Sequence, residues 1–196
     1  MPNASSTLDL FGNDALPEGI RYQPDFLSRE EEQSLLQHIG PPPFREFEFQ
    51  GFTGKRGIVS FGWRYDLNGG GLTKAVDMPE FLSAIRVLSE KFAAIPESTL
   101  HQVLITEYTP GAAIGWHKDR SFFGDVVGIS LLSPCIFRLR RKTGHCCERR
   151  NLTAEPRSIC LLRGPSRTEW EHSIPGMDSL RYSLTFCNVL EGTGQA

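Results

Sequence analysis

The sequence predicts a mainly β protein with flanking helices, an α+β fold built either as a β-sandwich or as a jelly-roll barrel. After His101 there is no good helical pattern, and six apolar runs rich in β-forming residues follow one another closely. Turn signals such as Pro110-Gly111 and Ser133-Pro134 separate these runs. Many short strands at close spacing are typical of β domains with two layers. The runs cover residues 101–108, 113–117, 126–132, 135–141, 158–162 and 180–189.

The chain before His101 contributes a short strand at residues 20–22 and two helices. Ser28 is expected to cap the first helix, with Glu31 three residues later as its capping-box partner. This helix is expected to end at Gly40, and the second to begin near Pro79. Because apolar residues recur at helical spacing in the second helix, we expect it to pack through one face. The two helices together are expected to cover one sheet. The recurring residues are Phe81, Ile85, Leu88 and Phe92.

Between the helices, residues 44–71 are rich in aromatic residues and glycine, and we expect extended segments joined by turns. Phe61, Trp63 and Tyr65 alternate, so on one strand they would share a face. They could line a groove that stacks a flipped base, or they could form core between sheet and helix. The nearby cations favour a lid that contacts phosphates; they are Lys55, Arg56 and Arg64.

Length and composition bound the remaining possibilities. A chain of 196 residues with 39% hydrophobic residues can bury one core, and we expect a single domain over residues 15–192. Residues 1–14 are expected to form a flexible tail, because Met1–Thr7 is polar and lacks the pattern of a secretory signal. No run approaches the roughly 18 apolar residues of a membrane span. Since the chain has an odd number of cysteines, five, without paired spacing and without a signal peptide, we expect reduced thiols in the cytoplasm. We also expect a monomer.

Charge is distributed unevenly along the chain. The net charge of -2 gives no general case for nucleic-acid binding, but basic residues are concentrated near residue 140. They could form a face that contacts phosphates or a solvated hairpin, and the sequence favours neither. The adjacent His145, Cys146 and Cys147 indicate an exposed loop, because a metal site would need a second pair of ligands. The basic residues are Arg138, Arg140, Arg141, Lys142, Arg149 and Arg150.

A candidate metal site begins with His117 and Asp119, at the end of a predicted strand. Residues i and i+2 of a strand point to one face, about 6.6 Å apart, so an imidazole and a carboxylate there can converge on one ion. Two histidines and one carboxylate are the ligands of non-haem iron(II) oxygenases. His172 is the best third ligand, because it follows Trp170 in the late β region and precedes Arg181 by nine residues. A buried arginine needs an acidic partner, which a dicarboxylate cosubstrate would supply.

Several ordered blocks of this sequence resemble the AlkB-like family of iron(II)- and 2-oxoglutarate-dependent dioxygenases. The resemblance is strong over about residues 100–189 and looser over residues 20–99. It implies a double-stranded β-helix (jelly-roll) barrel, with residues 44–71 as a nucleotide-recognition lid. The matching blocks are Ile105–Gly111, Gly115–Asp119, Gly128–Leu132, Gly164–Arg167, Trp170–His172 and Arg181–Phe186.

The resemblance also assigns cofactors and residues. It implies Fe(II) held by His117, Asp119 and His172, and 2-oxoglutarate held by Arg181 at its distal carboxylate and by Tyr108. O2 is the second cosubstrate. Further candidates beside the 2-oxoglutarate are Thr106 and Ser183. The candidates for substrate binding are Phe61, Trp63, Tyr65, Arg56 and Arg120.

The function that the resemblance implies is oxidative demethylation of N-alkylated bases in DNA or RNA, with single-stranded or flipped bases as substrates. The same chemistry could hydroxylate a modified tRNA base, a protein side chain or a small molecule, and a third possibility is a binding module that has lost its activity. Three positions depart from the family pattern. Cys187 replaces a second arginine, Thr106 replaces an asparagine, and Ser121 replaces an acidic residue that can read a base amine.

Overall fold

The computed structural model describes residues 16–39, 45–49, 52–66, 71–144 and 146–190. The predicted tail over residues 1–14, the predicted helix end at Gly40 and the side chain of His145 lie outside these residues. The strands are β1 Ile20–Gln23, β2 Arg45–Phe49, β3 Phe52–Phe61, β4 Trp63–Asp66, β5 Gly71–Lys74, β6 Gln102–Tyr108, β7 Ile114–His117, β8 Phe123–Leu131, β9 Cys135–Thr143, β10 Cys146–Ala154, β11 Ile159–Leu162, β12 Glu171–Ile174 and β13 Arg181–Val189. The helices are α1 Arg29–Ile39, α2 Ser83–Ala93 and α3 Pro165–Thr168, and a 3₁₀ turn at Glu80–Leu82 precedes α2.

Two antiparallel sheets form a jelly-roll barrel, as predicted. The large sheet has seven strands in the order β1-β11-β8-β13-β6-β3-β2, and the small sheet has four in the order β10-β9-β12-β7. A separate pair, β4-β5, extends from β3. Side chains alternate along each strand, so each sheet presents one face to the interior of the barrel and one to the outside.

Helices α1 and α2 pack on the outer face of the large sheet and form the main hydrophobic core with it, which confirms that both helices cover one sheet. The capping box is present, because the Glu31 N–H donates to Ser28 Oγ and the Ser28 N–H donates to the Glu31 carboxylate. The helical stripe that begins at Phe81 belongs to this core, as predicted. Among the described residues, no helix is long and apolar enough to cross a membrane. The most deeply buried members of the core include Ile39, Leu82, Leu100, Ile129, Leu184 and Phe186.

The structure departs from the predicted elements at three places. Strand β10 was not predicted, because its exposed and half-exposed residues are mostly polar and only Leu152 is buried. Strand β12 and the one-turn helix α3 were also missed, since four residues are too few to show a period. The single strand predicted through Phe61, Trp63 and Tyr65 is wrong, because Gly62 interrupts it.

Gly62 explains this interruption physically. Its φ is +78°, a conformation that glycine adopts far more readily than other residues, and a Cβ there would lie 2.0 Å from the carbonyl oxygen of His101. The chain therefore leaves the large sheet after Phe61, and Trp63 and Tyr65 belong to the β4-β5 pair instead.

Candidate active site

Three side chains with metal-ligand chemistry converge inside the barrel: His117, Asp119 and His172. His117 ends β7, His172 lies directly opposite it on β12, and Asp119 follows β7 in the connecting loop. The Asp119 Oδ1 is 4.0 Å from His117 Nε2 and 3.7 Å from His172 Nε2. Two nitrogen or oxygen ligands at about 2.1 Å from a shared ion lie at most about 4.2 Å apart, so each of these two separations is within the reach of one divalent ion. All three ligand atoms lie within 4.8 Å of one another.

Both imidazoles point Nε2 toward Asp119 Oδ1. His117 Nδ1 lies 2.9 Å from the Gly115 carbonyl oxygen, which can only accept, so the ring proton is on Nδ1. Burial lowers the pKa of His172 to about 4 and outweighs the opposing effect of Asp119, so the ring is neutral near pH 7. Phe137 stacks on His172 with ring centroids 5.1 Å apart and fixes the plane of the ring.

Arg167 is a site residue that our sequence analysis missed. Its side chain, 6% exposed, places Nη1 3.0 Å from Asp119 Oδ2, on the side of the carboxylate away from the histidines. Its Nη2 donates to the carbonyl oxygens of Arg120 and Phe123, so the guanidinium is held by the loop that carries Asp119. Asp119 therefore presents one oxygen to the histidines while the other is ion-paired. The sequence did contain a signal, because Arg167 ends one of the blocks that resemble the family, Gly164–Arg167. An arginine that is buried at such a position requires an acidic partner.

Cys187 lies close to the same ion pair. Its thiol is buried, and burial raises its pKa above the usual range, with Asp119 contributing in the same direction and Arg167 opposing. The position at which the family pattern has a second arginine is thus occupied by a neutral side chain, within the electrostatic reach of the Arg167–Asp119 pair.

A second charged group, Arg181, projects into the barrel from the large sheet. It is buried, and its Nε donates to Ser130 Oγ at 3.0 Å. Its guanidinium lies over the Tyr108 ring, 4.8 Å from the centroid, and the Tyr108 hydroxyl is 3.4 Å from Ser183 Oγ. The Nη1 atom is buried without a hydrogen-bond partner among the described residues. A buried guanidinium with an open donor can bind an anionic carboxylate. Arg181 is therefore suited to hold one carboxylate of a dicarboxylate cosubstrate.

The triad and Arg181 line one cavity of about 1920 Å³. This volume exceeds the roughly 300–1,000 Å³ of a small-ligand pocket, so the cavity can hold a cosubstrate and part of a larger molecule. Thr106 and Ser183, predicted beside the cosubstrate, also line it and are register partners on β6 and β13. The only carboxylate among the described lining residues is Asp119. The lining cations are Arg56, Arg64, Lys74, Lys118, Arg120 and Arg181.

The structure brings together only part of the predicted substrate set. Phe61, Arg56 and Arg120 line the cavity, although Phe61 also packs against the main core. Trp63 is absent from the described cavity lining. Tyr65 lies on β4, and its side chain is outside the described part of the structure.

Comparison with known proteins identifies a family for the chain. The family model described as "2OG-Fe(II) oxygenase superfamily" matches residues 19–186, which include the triad and Arg181.

Three relatives share moderate sequence identity with the chain. The "Alkylated DNA repair protein ALKBH8 homolog" of Arabidopsis thaliana is 27% identical over 80% of this chain and 51% of its own length. The "tRNA (carboxymethyluridine(34)-5-O)-methyltransferase ALKBH8" of Mus musculus is 26% identical over 83% of this chain. The chain thus spans about half of the plant relative and covers 25% of the mouse relative. The mitochondrial "Alpha-ketoglutarate-dependent dioxygenase alkB homolog 7" of Bos taurus is 30% identical over 81% of this chain and 68% of its own length.

Solved structures show the same fold. The structure of OsALKBH1 superposes with a TM-score of 0.65 at 17% identity, covering 89% of this chain and 99% of that one. A prolyl-4-hydroxylase of Pseudomonas putida gives a TM-score of 0.57 at 14% identity, covering 89% of this chain and 94% of the other. The predicted jelly-roll fold is therefore confirmed by comparison as well as by the strand order.

Proposed function

The chain belongs to the 2OG-Fe(II) oxygenase superfamily and is homologous to AlkB proteins, and we propose that it oxidatively demethylates N-alkylated bases in DNA or RNA. It is an oxidoreductase of the class that uses Fe(II), 2-oxoglutarate and O2. One observation carries the choice of a nucleic-acid substrate: the described lining of the cavity has six cationic side chains and one carboxylate, Asp119. The chain as a whole has a net charge of -2, so this excess is local to the site.

The residues of the triad would hold Fe(II), and Arg181 would hold the cosubstrate. His117, Asp119 and His172 offer one ligand atom each and leave room for further ligands, as a facial set of two histidines and one carboxylate does. Arg167 holds Asp119 so that one oxygen faces the histidines. When bound, Fe(II) with 2-oxoglutarate and O2 inserts one oxygen atom into a C–H bond of the substrate, and the other oxygen enters succinate as CO2 leaves.

The lining charges suit a phosphodiester substrate in particular. Lys118 and Arg120 flank Asp119 in sequence, and Arg64 and Lys74 come from the β4-β5 pair, so the cations of the cavity belong to separate elements. Phosphates are the polyanions that such side chains bind, and the contacts would orient a strand while one base enters the cavity. A hydroxylated N-methyl carbon then leaves as formaldehyde, with the C–N electron pair returned to the base nitrogen. The convergence of the triad argues against a binding module that has lost its activity.

The experiment is an assay on oligonucleotides of about 20 nucleotides, in DNA and RNA form, that carry one N-methylated base. With Fe(II), 2-oxoglutarate and air, we expect formaldehyde and succinate in equal amounts and a product lighter by one methylene group. The His117→Ala variant is the control for metal-dependent turnover. If no methylated oligonucleotide yields formaldehyde above this control, the demethylase proposal is wrong.

A second candidate is hydroxylation of a modified tRNA base without loss of carbon. It is supported by the relative from Mus musculus, whose name refers to a tRNA uridine. The same assay on total tRNA separates the two, because this reaction adds one oxygen atom to a base and releases no formaldehyde. The cytoplasmic location, the monomeric state and the domain limits of 15–192 remain predictions.

A further inference from the structure

The two faces of the small sheet carry different side chains. Cys135, Phe137 and Leu152 line the cavity, which fixes the orientation of β9 and β10. Because side chains alternate, the residues of β9 with the opposite orientation form the outer face. The register of the sheet pairs Arg149 of β10 with Arg140 of β9, so these two residues share that face. We name as the outer basic face Arg138, Arg140, Lys142 and Arg149.

The positive charge of this face is only partly neutralised. Among the described residues of the four strands, Glu171 is the carboxylate on this side, with its Oε2 2.6 Å from Arg140 Nε. Lys142 and Arg149 have exposed side chains and form no ion pair in the described part of the chain. The face thus has an excess of three positive charges, since four cations oppose one carboxylate.

The other two arginines of the basic run are on the opposite side and are compensated. Arg141 contacts Glu148 at 2.9 Å and Glu169 at 2.7 Å, and Arg150 contacts Glu148 at 3.0 Å. Because side chains alternate along a strand, the basic residues near residue 140 divide between the two faces of the small sheet. Those on the inner side are neutralised by carboxylates, and those on the outer side keep an excess of positive charge. The sequence did not reveal this division.

Trp116 organises the arginines of the outer basic face. The Arg140 guanidinium lies 4.4 Å from the centroid of the Trp116 ring, and that of Arg138 lies 5.1 Å away. Arg138 Nε donates to Ser173 Oγ at 3.0 Å. Each arginine has five N–H donors, so these contacts hold the guanidinium plane and leave donors for an anion. Trp116 also lines the cavity, so the basic face is continuous with the candidate active site.

We propose that the outer basic face binds the phosphodiester backbone of the nucleic-acid strand whose modified base enters the cavity. The inference rests on the proposed function and extends it to a surface outside the cavity. Preset guanidiniums beside unpaired cations match phosphate oxygens in both charge and geometry.

The test compares two double variants that each remove two positive charges. Lys142→Gln with Arg149→Gln alters the outer basic face. Arg29→Gln with Lys91→Gln is the matched control, because both residues are exposed on the helices that cover the large sheet. Binding of a fluorescein-labelled single strand of about 20 nucleotides, as DNA and as RNA, is measured by anisotropy at several salt concentrations with the anaerobic Fe(II)- and 2-oxoglutarate-loaded protein. Thermal denaturation confirms that each variant is folded.

Each lost phosphate contact should lower the slope of log affinity against log salt by about 0.7, which for two contacts is roughly a 20-fold loss of affinity at about 100 mM salt. The control pair should stay within about twofold of the unaltered protein. Equal losses in both pairs, or none in the face pair, would overturn the inference. If the unaltered protein oxidises the strand and the Lys142→Gln, Arg149→Gln variant binds it with unchanged affinity, only this inference fails. If the unaltered protein neither binds nor oxidises any strand, the proposed function fails as well.

Discussion

The large and small sheets face the same cavity but have different surroundings behind them. On the large sheet, β13 is buried on both faces, with Leu184 and Phe186 against the helices and Arg181 toward the cavity. On the small sheet, β9 is exposed on its outer face, where Ile136 and the arginines lie. The large sheet therefore supplies most of the core, while the small sheet can place ligands inside and charges outside. We therefore expect mutations in the large sheet to lower the stability of the protein, and mutations on the inner face of the small sheet to impair metal binding.

The largest effect is expected at the inner face of the small sheet. His117→Ala removes one metal ligand and should lower turnover by more than about 100-fold, since the loss of an outer-shell partner already lowers activity or affinity by 10–100-fold. Stability should change little, because the His117 side chain is 41% exposed. The measurement is succinate release with iron in excess, alongside thermal denaturation.

His38→Ala is the matched control, because His38 is exposed on α1, far in sequence from the triad, and alanine suits a helix. Turnover by His117→Ala within tenfold of that control would show that the triad does not hold the metal.

The next effect compares the outer faces of the two sheets. Leu184→Ala should lower the free energy of unfolding by about 2–5 kcal/mol, because Leu184 is 0% exposed between sheet and helices. Ile136→Ala, on the outer face of β9 and 40% exposed, should lower it by less than about 1 kcal/mol. Urea denaturation of both variants measures the difference. Equal losses would mean that the small sheet has a second core behind it.

A third prediction tests whether Arg181 of the large sheet contributes to binding of the cosubstrate and not to binding of the metal. Arg181→Gln should raise the KM for 2-oxoglutarate about 30-fold, near 2 kcal/mol, because a charge-assisted hydrogen bond to a carboxylate is lost. Iron affinity should remain within about threefold, since the triad belongs to the small sheet and its loop. Arg181→Lys should recover part of the loss. A parallel fall in iron affinity would contradict the division between the sheets.

The smallest effect is expected at Arg167, which acts through Asp119. Arg167→Gln should weaken metal binding by about tenfold, the lower end of the range for residues that orient a ligand, while the KM for 2-oxoglutarate changes less than twofold. Arg167→Lys should restore part of the affinity, because it keeps the charge opposite Asp119 Oδ2. Anaerobic titration with Co(II), followed by its visible absorption, measures binding without turnover. Unchanged Co(II) affinity in Arg167→Gln would exclude this positioning role.

The two sheets also explain what could be predicted from the sequence. Strands β8 and β13 are largely buried and rich in aliphatic and aromatic residues that favour strands, so their existence was evident from the sequence. Strand β10 has one face in solvent and few apolar residues, so its period was hidden. The three metal ligands and Arg181 were predicted because their residue types and order carry chemistry on their own. Arg167 was missed, because its role depends on a partner 48 positions earlier that no local pattern indicates.

The position of β7 at the edge of the small sheet has a consequence for amide hydrogen exchange. His117 belongs to a four-residue strand that, within the described segments, has a neighbour on one side only, and it stands opposite His172 on that neighbour. Fraying of this edge would withdraw one of the three ligands, so an ion that binds all three must disfavour fraying by its own binding free energy. Amide hydrogens of residues 114–117 should consequently exchange more slowly as iron is added.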